Sequence, residues 1–318
     1  MKSKKVKAFA PATVANVAVG FDILGFALSN IGEVASLEKI ENRPEVYLKP
    51  VKGFATLPLD PLKNTATAGL VRLIQEKKLS YGFNVDLEKS IPIGSGLGGS
   101  AASAVATIVA ANFFLKNKLT LSEMLDYAST GEAVASGSQH ADNVGPCLYG
   151  GLVLIQGLPE VLISKIKTPS SLRCIILLPD ITIYTKDARK LLQPQVTMAQ
   201  MIEQSANLAG FVLGCQTGQF LLIKRSLRDV IIEPQRAALI PGFKSLQAAA
   251  LAAGALGCSI SGSGPAIFAL AANQQQALSI KKNLLKTAKQ ENVKLKNLWI
   301  SNISTKGAHL LTGRTGLV

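Results

Sequence analysis

The chain has 318 residues, of which 48% are hydrophobic and 17% charged, and its formal net charge is +14. This length is sufficient for two domains with a sizeable core. No apolar run reaches the roughly 18 residues of a membrane helix, and no apolar core typical of a signal peptide follows the basic residues 2–7. We therefore expect a cytoplasmic protein. Few aromatic residues accompany the lysines of residues 2–7 and 281–296, which favours a solvated, anion-attracting surface over a nucleic-acid interface.

Hydrophobic periodicity predicts mixed strands and helices in the first half of the chain. The predicted strands lie at residues 6–10, within 27–47, at 83–91 and at 150–156, and the predicted helices begin near 63–70 and cover 100–115 and 120–128. Thr120 and Glu123 have the spacing of a capping box at the start of the last helix. A segment rich in Pro, Ser and Lys at 159–171 is a candidate domain boundary.

The second half repeats this alternation. A β-branched run at 173–179 predicts a buried strand, and the later predicted elements are helices within 196–223 and at 244–253, a strand at 267–270, a helix at 274–290 and a strand at 294–300. The four cysteines, Cys147, Cys174, Cys215 and Cys258, lack metal-ligand spacing, so we expect buried thiols.

A glycine- and serine-rich segment precedes the predicted helix at 100–115. Its residues are Pro92, Ile93, Gly94, Ser95, Gly96, Leu97, Gly98, Gly99, Ser100, Ala101 and Ala102. Glycines allow close backbone approach to an anion, and a helix N-terminus presents amides without internal partners, so this pattern is typical of a phosphate-binding loop. A tight turn capped by Ser100 would use the same residues. No Lys follows the last glycine as in a P-loop, and Asp86, Glu88 and Lys89 do not suit the buried strand of a dinucleotide fold.

Polar residues interrupt several apolar stretches. Asn16 and Asp22 lie in an apolar stretch after the first strand, where they suit a cap and a turn or a ligand site. Glu132 stands on an apolar-faced helix, where a buried carboxylate needs a partner, so it is an exposed residue, a member of a salt bridge or a Mg²⁺ ligand. His140, Asp142 and Asn143 occur within one turn, and Tyr184–Arg189 opens a helix with a guanidinium that would suit a carboxylate.

The glycine-rich segment resembles the phosphate loop P-x-x-x-G-L-G-S-S-A-A of the GHMP small-molecule kinases, with Gly99 in place of the first Ser. Residues 11–22 resemble the first motif of that family, with Ala18 and Val19 in place of Gly-Pro, and residues 257–266 resemble the third motif. Residues 140–146 are similar to the H-x-D-N-V-x-P segment of the homoserine kinase branch, residues 185–189 to its T-x-x-A-R segment, and residues 233–242 to its segment with a second arginine.

The resemblance implies an α+β kinase with two domains. A split β-α-β sandwich is expected at 1–165 and a ferredoxin-like domain at 166–318. The loop amides of 94–100, together with Asn64 and Thr185, would bind ATP, and Ser100 and Glu132 would hold Mg²⁺. The substrate, L-homoserine, would be phosphorylated on its side-chain hydroxyl and would contact Asn16, Asp22, His140, Asn143, Arg189 and Arg236. The catalytic residues would be Asn16, Asp22, Asn143 and Arg189.

One position sets the expected mechanism. By the same resemblance, Asn143 stands where mevalonate kinases and galactokinases place a catalytic aspartate. Because an amide does not accept a proton, the implied kinase has no protein general base and depends on positioning and electrostatics. A homodimer is also expected.

Two alternatives remain open at this point. The chain would be another GHMP kinase acting on mevalonate or a sugar, or a basic RNA-binding module, since the first-domain fold also occurs on the ribosome. Turnover with those alcohols would favour the first alternative, and salt-sensitive RNA binding without kinase activity would favour the second.

Overall fold

The computed structural model describes residues 5–51, 57–136, 140–157 and 160–311, without the side chains of 135 and 136. Its strands are β1 (Lys5–Ala15), β2 (Leu24–Ile40), β3 (Val46–Leu48), β4 (Gly82–Glu88), β5 (Leu152–Gln156), β6 (Leu162–Ile166), β7 (Arg173–Pro179), β8 (Gly257–Ile260), β9 (Ile267–Ala271), β10 (Leu295–Asn302) and β11 (His309–Leu310). Its helices are α1 (Ala68–Glu76), α2 (Gly99–Asn112), α3 (Leu121–Ser136), α4 (Ala141–Tyr149), α5 (Thr185–Lys190), α6 (Met198–Thr217), α7 (Phe220–Ser226), α8 (Glu233–Arg236), α9 (Phe243–Ala252) and α10 (Gln274–Gln290).

A seven-stranded sheet forms around the long strand β2. One edge of β2 pairs antiparallel with β1, and its other edge pairs with β5 at the start and with β4 towards the end. The order is β11-β1-β2-β4-β3, and β6 extends the sheet beyond β5. Helix α2 is almost entirely buried because β1, β2, α3 and α4 cover it, and its many Ala residues allow this close packing.

A second, four-stranded antiparallel sheet has the order β10-β7-β9-β8. Helices α9 and α10 pack on it, and α10 buries Ala277, Ile280, Leu284 and Ala288 at helical spacing. Numbered along the chain within this sheet, the strand order is 4-1-3-2. This is the ferredoxin-like arrangement, so the predicted α+β class and the ferredoxin-like second part are confirmed.

Four local features differ from the sequence prediction. Strand β1 continues to Ala15, and α3 continues past 128 to Ser136 because Gly131 lets the helix approach the backbone of Thr65 rather than ending it. Strand β6 lies inside the candidate boundary segment, and β11 returns the chain to the first sheet by pairing with β1. A boundary at 165/166 therefore falls within β6, and the independent folding of the two parts stays a prediction.

All four cysteines are buried free thiols, as expected. Within the described ranges, no helix combines the length and apolar character needed to span a bilayer.

Candidate active site

A cavity of about 460 Å³ collects most of the polar residues noted in the sequence. Its lining includes the predicted residues Asn16, Asp22, Pro92, Ile93, Gly94, Ser95, Gly96, Gly98, Gly99, Ser100, Glu132, His140, Asn143, Thr185, Arg189 and Arg236. The glycine-rich segment lies along one part of this lining and the two arginines contribute to another. Both therefore face a single space.

Four predicted nucleotide residues do not line this cavity. Leu97 is a core residue whose carbonyl oxygen accepts a bond from the Thr13 amide at 3.1 Å, and Ala101 and Ala102 are buried in α2. Asn64 is buried, donates to the carbonyl of Pro58 at 2.7 Å and accepts from the Ala66 amide at 2.9 Å. Its side chain thus stabilises its own loop, and its expected role in binding ATP stays a prediction.

The backbone of the glycine-rich segment explains its composition. Gly94, Gly96 and Gly98 have φ angles of 63°, 77° and 66°, which side-chain-bearing residues rarely adopt. A Cβ on Gly98 would clash with the Thr13 hydroxyl, so β1 approaches the loop too closely for another residue. Gly98 is also the N-cap of α2, and no side chain caps the amides of the first turn of this helix. These amides, at the positive end of the helix dipole, suit a phosphate.

At position 99, where the sequence departs from the family pattern, a steric contact explains why glycine replaces serine. A Cβ at this position would lie 3.0 Å from Cγ2 of Ile91, which is tighter than an ordinary contact. The backbone of Gly99 retains its N–H group, which is the part of the residue that a phosphate loop uses.

The loop at 257–266 holds the glycine-rich segment in place. The buried Ser261 hydroxyl donates to the carbonyl of Gly96 at 2.7 Å, and the Ala266 amide donates to the carbonyl of Ser95 at 3.0 Å. Ser263 of the same loop lies 3.3 Å from the Thr185 hydroxyl, oxygen to oxygen. The third motif therefore supports the glycine-rich segment from the second sheet.

Glu132 and Ser100 meet beside the N-terminus of α2. The Ser100 side chain is hydrogen-bonded to Glu132, and burial, with a smaller contribution from the Asp142 carboxylate, raises the pKa of Glu132 to about 7. A carboxylate and a hydroxyl next to a phosphate loop are the oxygen donors that Mg²⁺ takes when substrate phosphates and water complete its coordination. No group of three or more His, Cys, Asp or Glu residues suited to a metal occurs in the described part of the chain.

Asn16 and Asp22 of the first motif also line the cavity. Asn16 and Asp22 have φ angles of 67° and 62°. The Asn16 side chain accepts from the Asp22 amide at 3.1 Å and donates to the carbonyl of Gly262 at 3.0 Å. The Arg189 guanidinium donates to both Asp22 carboxylate oxygens at 2.8 and 3.0 Å. This ion pair joins the first motif to α5 across the cavity.

The two arginines differ in burial. Arg236 is only 2% exposed and donates from Nη1 to the carbonyl of Gly262 at 3.0 Å, whereas Arg189 has a side chain that is 36% exposed. In both residues the buried Nε has no hydrogen-bond partner among the described residues. A buried guanidinium with donors to spare favours a carboxylate or phosphate ligand.

The 140–143 segment contributes three side chains. His140 Nδ1 lies 3.7 Å from an Asp22 carboxylate oxygen, and burial lowers the pKa of His140, which favours the neutral ring. The Thr13 hydroxyl donates to Oδ1 of Asn143 at 2.7 Å, which fixes the amide beside the phosphate loop. Thr13 had no predicted role, because its partner Asn143 lies 130 positions away in the chain.

Asp142 also lines the cavity, although no ligand contact was predicted for it from the sequence. It is 5% exposed, and burial, followed by the negative charge of Asp22, raises its pKa to about 7. Only its position beside the other polar residues of the same turn indicated a function. Asp22 and Asp142 together place two carboxyl groups near Arg189, which suits a ligand carrying both a positive and a negative group.

Comparison with known proteins gives consistent matches over the whole chain. The family models for the GHMP kinases N terminal domain and the GHMP kinases C terminal match residues 64–151 and 211–290. A homoserine kinase of Xylella fastidiosa (strain 9a5c) is 44% identical over 268 residues, which cover 83% of this chain and 81% of that protein. A homoserine kinase of Chloroherpeton thalassium is 38% identical over 318 residues, covering 97% of this chain and all of that protein.

Solved structures give the same result. The crystal structure of a homoserine kinase from Cytophaga hutchinsonii superposes with a TM-score of 0.93 at 41% identity, covering 98% of each chain. A mevalonate kinase from L. major in complex with R-mevalonate superposes with a TM-score of 0.70 at 17% identity, covering 95% of this chain and 96% of that one. The second likeness concerns the fold alone.

Proposed function

The chain belongs to the GHMP kinase family, and we propose that it transfers the γ-phosphoryl group of ATP to the side-chain hydroxyl of L-homoserine, giving ADP and O-phospho-L-homoserine. The relatives at 38–44% identity cited above carry the name homoserine kinase. The proposed reaction would serve threonine biosynthesis.

One observation carries this proposal: a single cavity joins the phosphate-loop amides to two arginines and two carboxyl groups. A nucleotide phosphate suits the amides at the start of α2. The α-carboxylate of an amino acid suits Arg189 and Arg236, while its α-ammonium suits Asp22 and Asp142. The site thus supports a zwitterionic alcohol better than mevalonate, which lacks the ammonium, or a sugar, which lacks both charges.

The Asp22–Arg189 ion pair explains why both substrate charges matter. In the structure each group already neutralises the other. A zwitterion that inserts between them replaces one ion pair by two, whereas a ligand with one charge leaves a partly buried partner uncompensated. Molecules with only the ammonium or only the carboxylate should therefore bind poorly.

Ser100 and Glu132 would hold Mg²⁺ beside the phosphates, since they supply a hydroxyl and a carboxylate oxygen there. When bound, Mg²⁺ supplies charge that neutralises the phosphate oxygens. The protein's own contribution is to orient the phosphates with the amides of 94–100 and to keep the loop in position through Ser261.

The hydroxyl transfer needs no strong base in this proposal. Asn143, fixed by Thr13, would orient the substrate hydroxyl by hydrogen bonding, with Asn16 and Asp22 shaping the same wall. The hydroxyl oxygen forms the new P–O bond as the bond to ADP breaks, and the hydroxyl proton is released with the product. A loose phosphoryl-transfer transition state requires little proton removal in advance, so positioning supplies most of the rate.

A substrate panel tests the proposal. ADP release with Mg-ATP would be measured with L-homoserine, 3-aminopropan-1-ol, 4-hydroxybutyrate, L-serine, mevalonate and galactose. We expect turnover with homoserine and at least a hundredfold lower kcat/KM with each molecule that lacks one charge. Efficient turnover of mevalonate or galactose instead would overturn the assignment.

Matched variants locate the site. Glu132→Ala should abolish ADP release, and Arg236→Met should raise the KM for homoserine strongly. Arg228→Met is the control, since the Arg228 side chain is 74% exposed and pairs with Glu203 at 3.6 Å. Full activity in the first two variants would remove these assignments. A homodimer and a cytoplasmic location stay predictions, which size-exclusion chromatography with light scattering and cell fractionation would check.

A further inference from the structure

One aromatic ring contacts both of the cavity's arginines. The guanidinium carbon of Arg189 lies over the Phe21 ring at 5.1 Å from its centroid, and that of Arg236 lies over the same ring at 5.2 Å. Phe21 itself is partly buried and lines the cavity. The two arginines come from α5 and α8, whereas Phe21 belongs to the turn between β1 and β2.

The two guanidinium groups need such a contact because they repel each other. The positive charge of Arg189 adds to the effect of burial in lowering the pKa of Arg236. The face of an aromatic ring carries partial negative charge and attracts a cation within about 6 Å of its centroid. One ring can therefore help to hold two like charges near each other before a ligand arrives, in addition to the Asp22 carboxylate, which pairs with Arg189.

The turn that carries Phe21 is well anchored. The Gly20 amide donates to the carbonyl of Asn16 at 2.8 Å, the Leu24 amide donates to the carbonyl of Gly20 at 2.9 Å, and the Gln204 side chain donates to the carbonyl of Val19 at 3.2 Å. The ring is thus held from both sides of its backbone and has a defined position relative to the arginines.

We propose that Phe21 is a positioning residue that holds Arg189 and Arg236 as a preformed site for the carboxylate of the substrate, through the negative potential of its ring face. The inference rests on the proposed function, because it concerns the carboxylate end of that substrate. It predicts that loss of the ring raises the KM of the substrate that carries the carboxylate and leaves the KM of ATP unchanged. Preorganisation lowers the ordering cost of binding, so its loss appears mainly in KM.

The test varies the ring potential at nearly constant shape. Phe21 is replaced by 3,5-difluorophenylalanine and by pentafluorophenylalanine, whose faces are progressively less negative, and separately by Leu and by Tyr. Phe220→Leu is the control for ring loss elsewhere, since Phe220 packs against the core at the start of α7 and is not among the cavity residues. Each protein is assayed for the KM of homoserine, the KM of ATP and kcat/KM for 3-aminopropan-1-ol, which has no carboxylate.

We expect the KM for homoserine to rise with each step of fluorination and by about tenfold in Phe21→Leu. Phe21→Tyr should stay within about threefold of the natural protein, because Tyr keeps the ring. The KM of ATP and the kcat/KM for 3-aminopropan-1-ol should not change. A homoserine KM that is insensitive to fluorination, or an equal rise in the KM of ATP, would overturn the inference. Absence of homoserine turnover in the natural protein would instead refute the proposed function, so the two failures are distinguishable.

Discussion

The substitution Glu132→Gln should stabilise the protein in the absence of Mg²⁺ while it removes activity. Glu132 is buried, and burial raises its pKa from 4.5 to about 7. Above pH 7 the folded protein therefore carries a buried, ionised carboxylate. The same group ionises more easily in the unfolded chain, where water solvates it, so its charge destabilises the folded state. Glutamine keeps the size and hydrogen-bonding ability of the side chain towards Ser100 but carries no charge.

The size of the effect follows from the pKa. A change from 4.5 to about 7 corresponds to about 3 kcal/mol of differential interaction. Below pH 4.5 the carboxyl group is protonated in both states and its contribution is fully present. As the pH rises from 4.5 to about 7, the unfolded chain loses the proton first, so the free energy of unfolding falls, and above pH 7 it is constant. The variant should lack the part of this fall that Glu132 causes, while the part that Asp142 causes remains. It should therefore be more stable than the natural protein by up to about 3 kcal/mol at pH 8.

Urea denaturation between pH 4.5 and pH 8, with EDTA present, measures this difference. Glu203→Gln is the control, since Glu203 is a solvent-exposed residue of α6 that pairs with Arg228 at 3.6 Å. Adding Mg²⁺ and a non-hydrolysable ATP analogue should then stabilise the natural protein and not Glu132→Gln. Parallel pH profiles for the natural protein and Glu132→Gln would refute the reasoning, because they would mean that Glu132 is not the group that titrates in the folded state.

Three further predictions concern the same cavity. With saturating Mg-ATP, kcat/KM for homoserine should rise with pH through about 7, because Asp142 ionises there and then binds the substrate ammonium. Asp142→Asn should lower kcat/KM and remove this rise. A rise that persists in the variant would contradict that role of Asp142. Ser261→Ala should raise the KM of ATP several-fold without changing that of homoserine, because it frees the carbonyl of Gly96 in the phosphate loop; equal changes in both constants would argue for a general structural effect. Gly99→Ser should lower the free energy of unfolding by about 1 kcal/mol through crowding of Cγ2 of Ile91. The same substitution should cost less in an Ile91→Ala background, which lacks Cγ2, as thermal denaturation of the single and double variants would show; an equal cost in both backgrounds would contradict the steric explanation.

Local sequence patterns predicted a glycine-rich turn that leads into a helix, because these signals act over a few residues. Glycines with positive φ and an uncapped helix start depend mainly on the adjoining backbone. The helix at 274–290 and the strand at 173–179 were predicted with the bounds that the structure has, because each shows an uninterrupted hydrophobic pattern. The predicted end of α3 near 128 was wrong because Gly131 serves close packing against a distant segment.

The sequence alone determined which chemical groups line the cavity: the amides of the glycine-rich segment, the carboxylate of Glu132 with the hydroxyl of Ser100, and two arginines. The tertiary structure decided which of them meet. Asp22 and Arg189 are 167 positions apart, and Asn16 and Gly262 are 246 positions apart. The raised pKa of Asp142 and the placement of two arginines over Phe21 likewise depend on burial and through-space charge, which no local pattern encodes because they arise only when distant segments pack together.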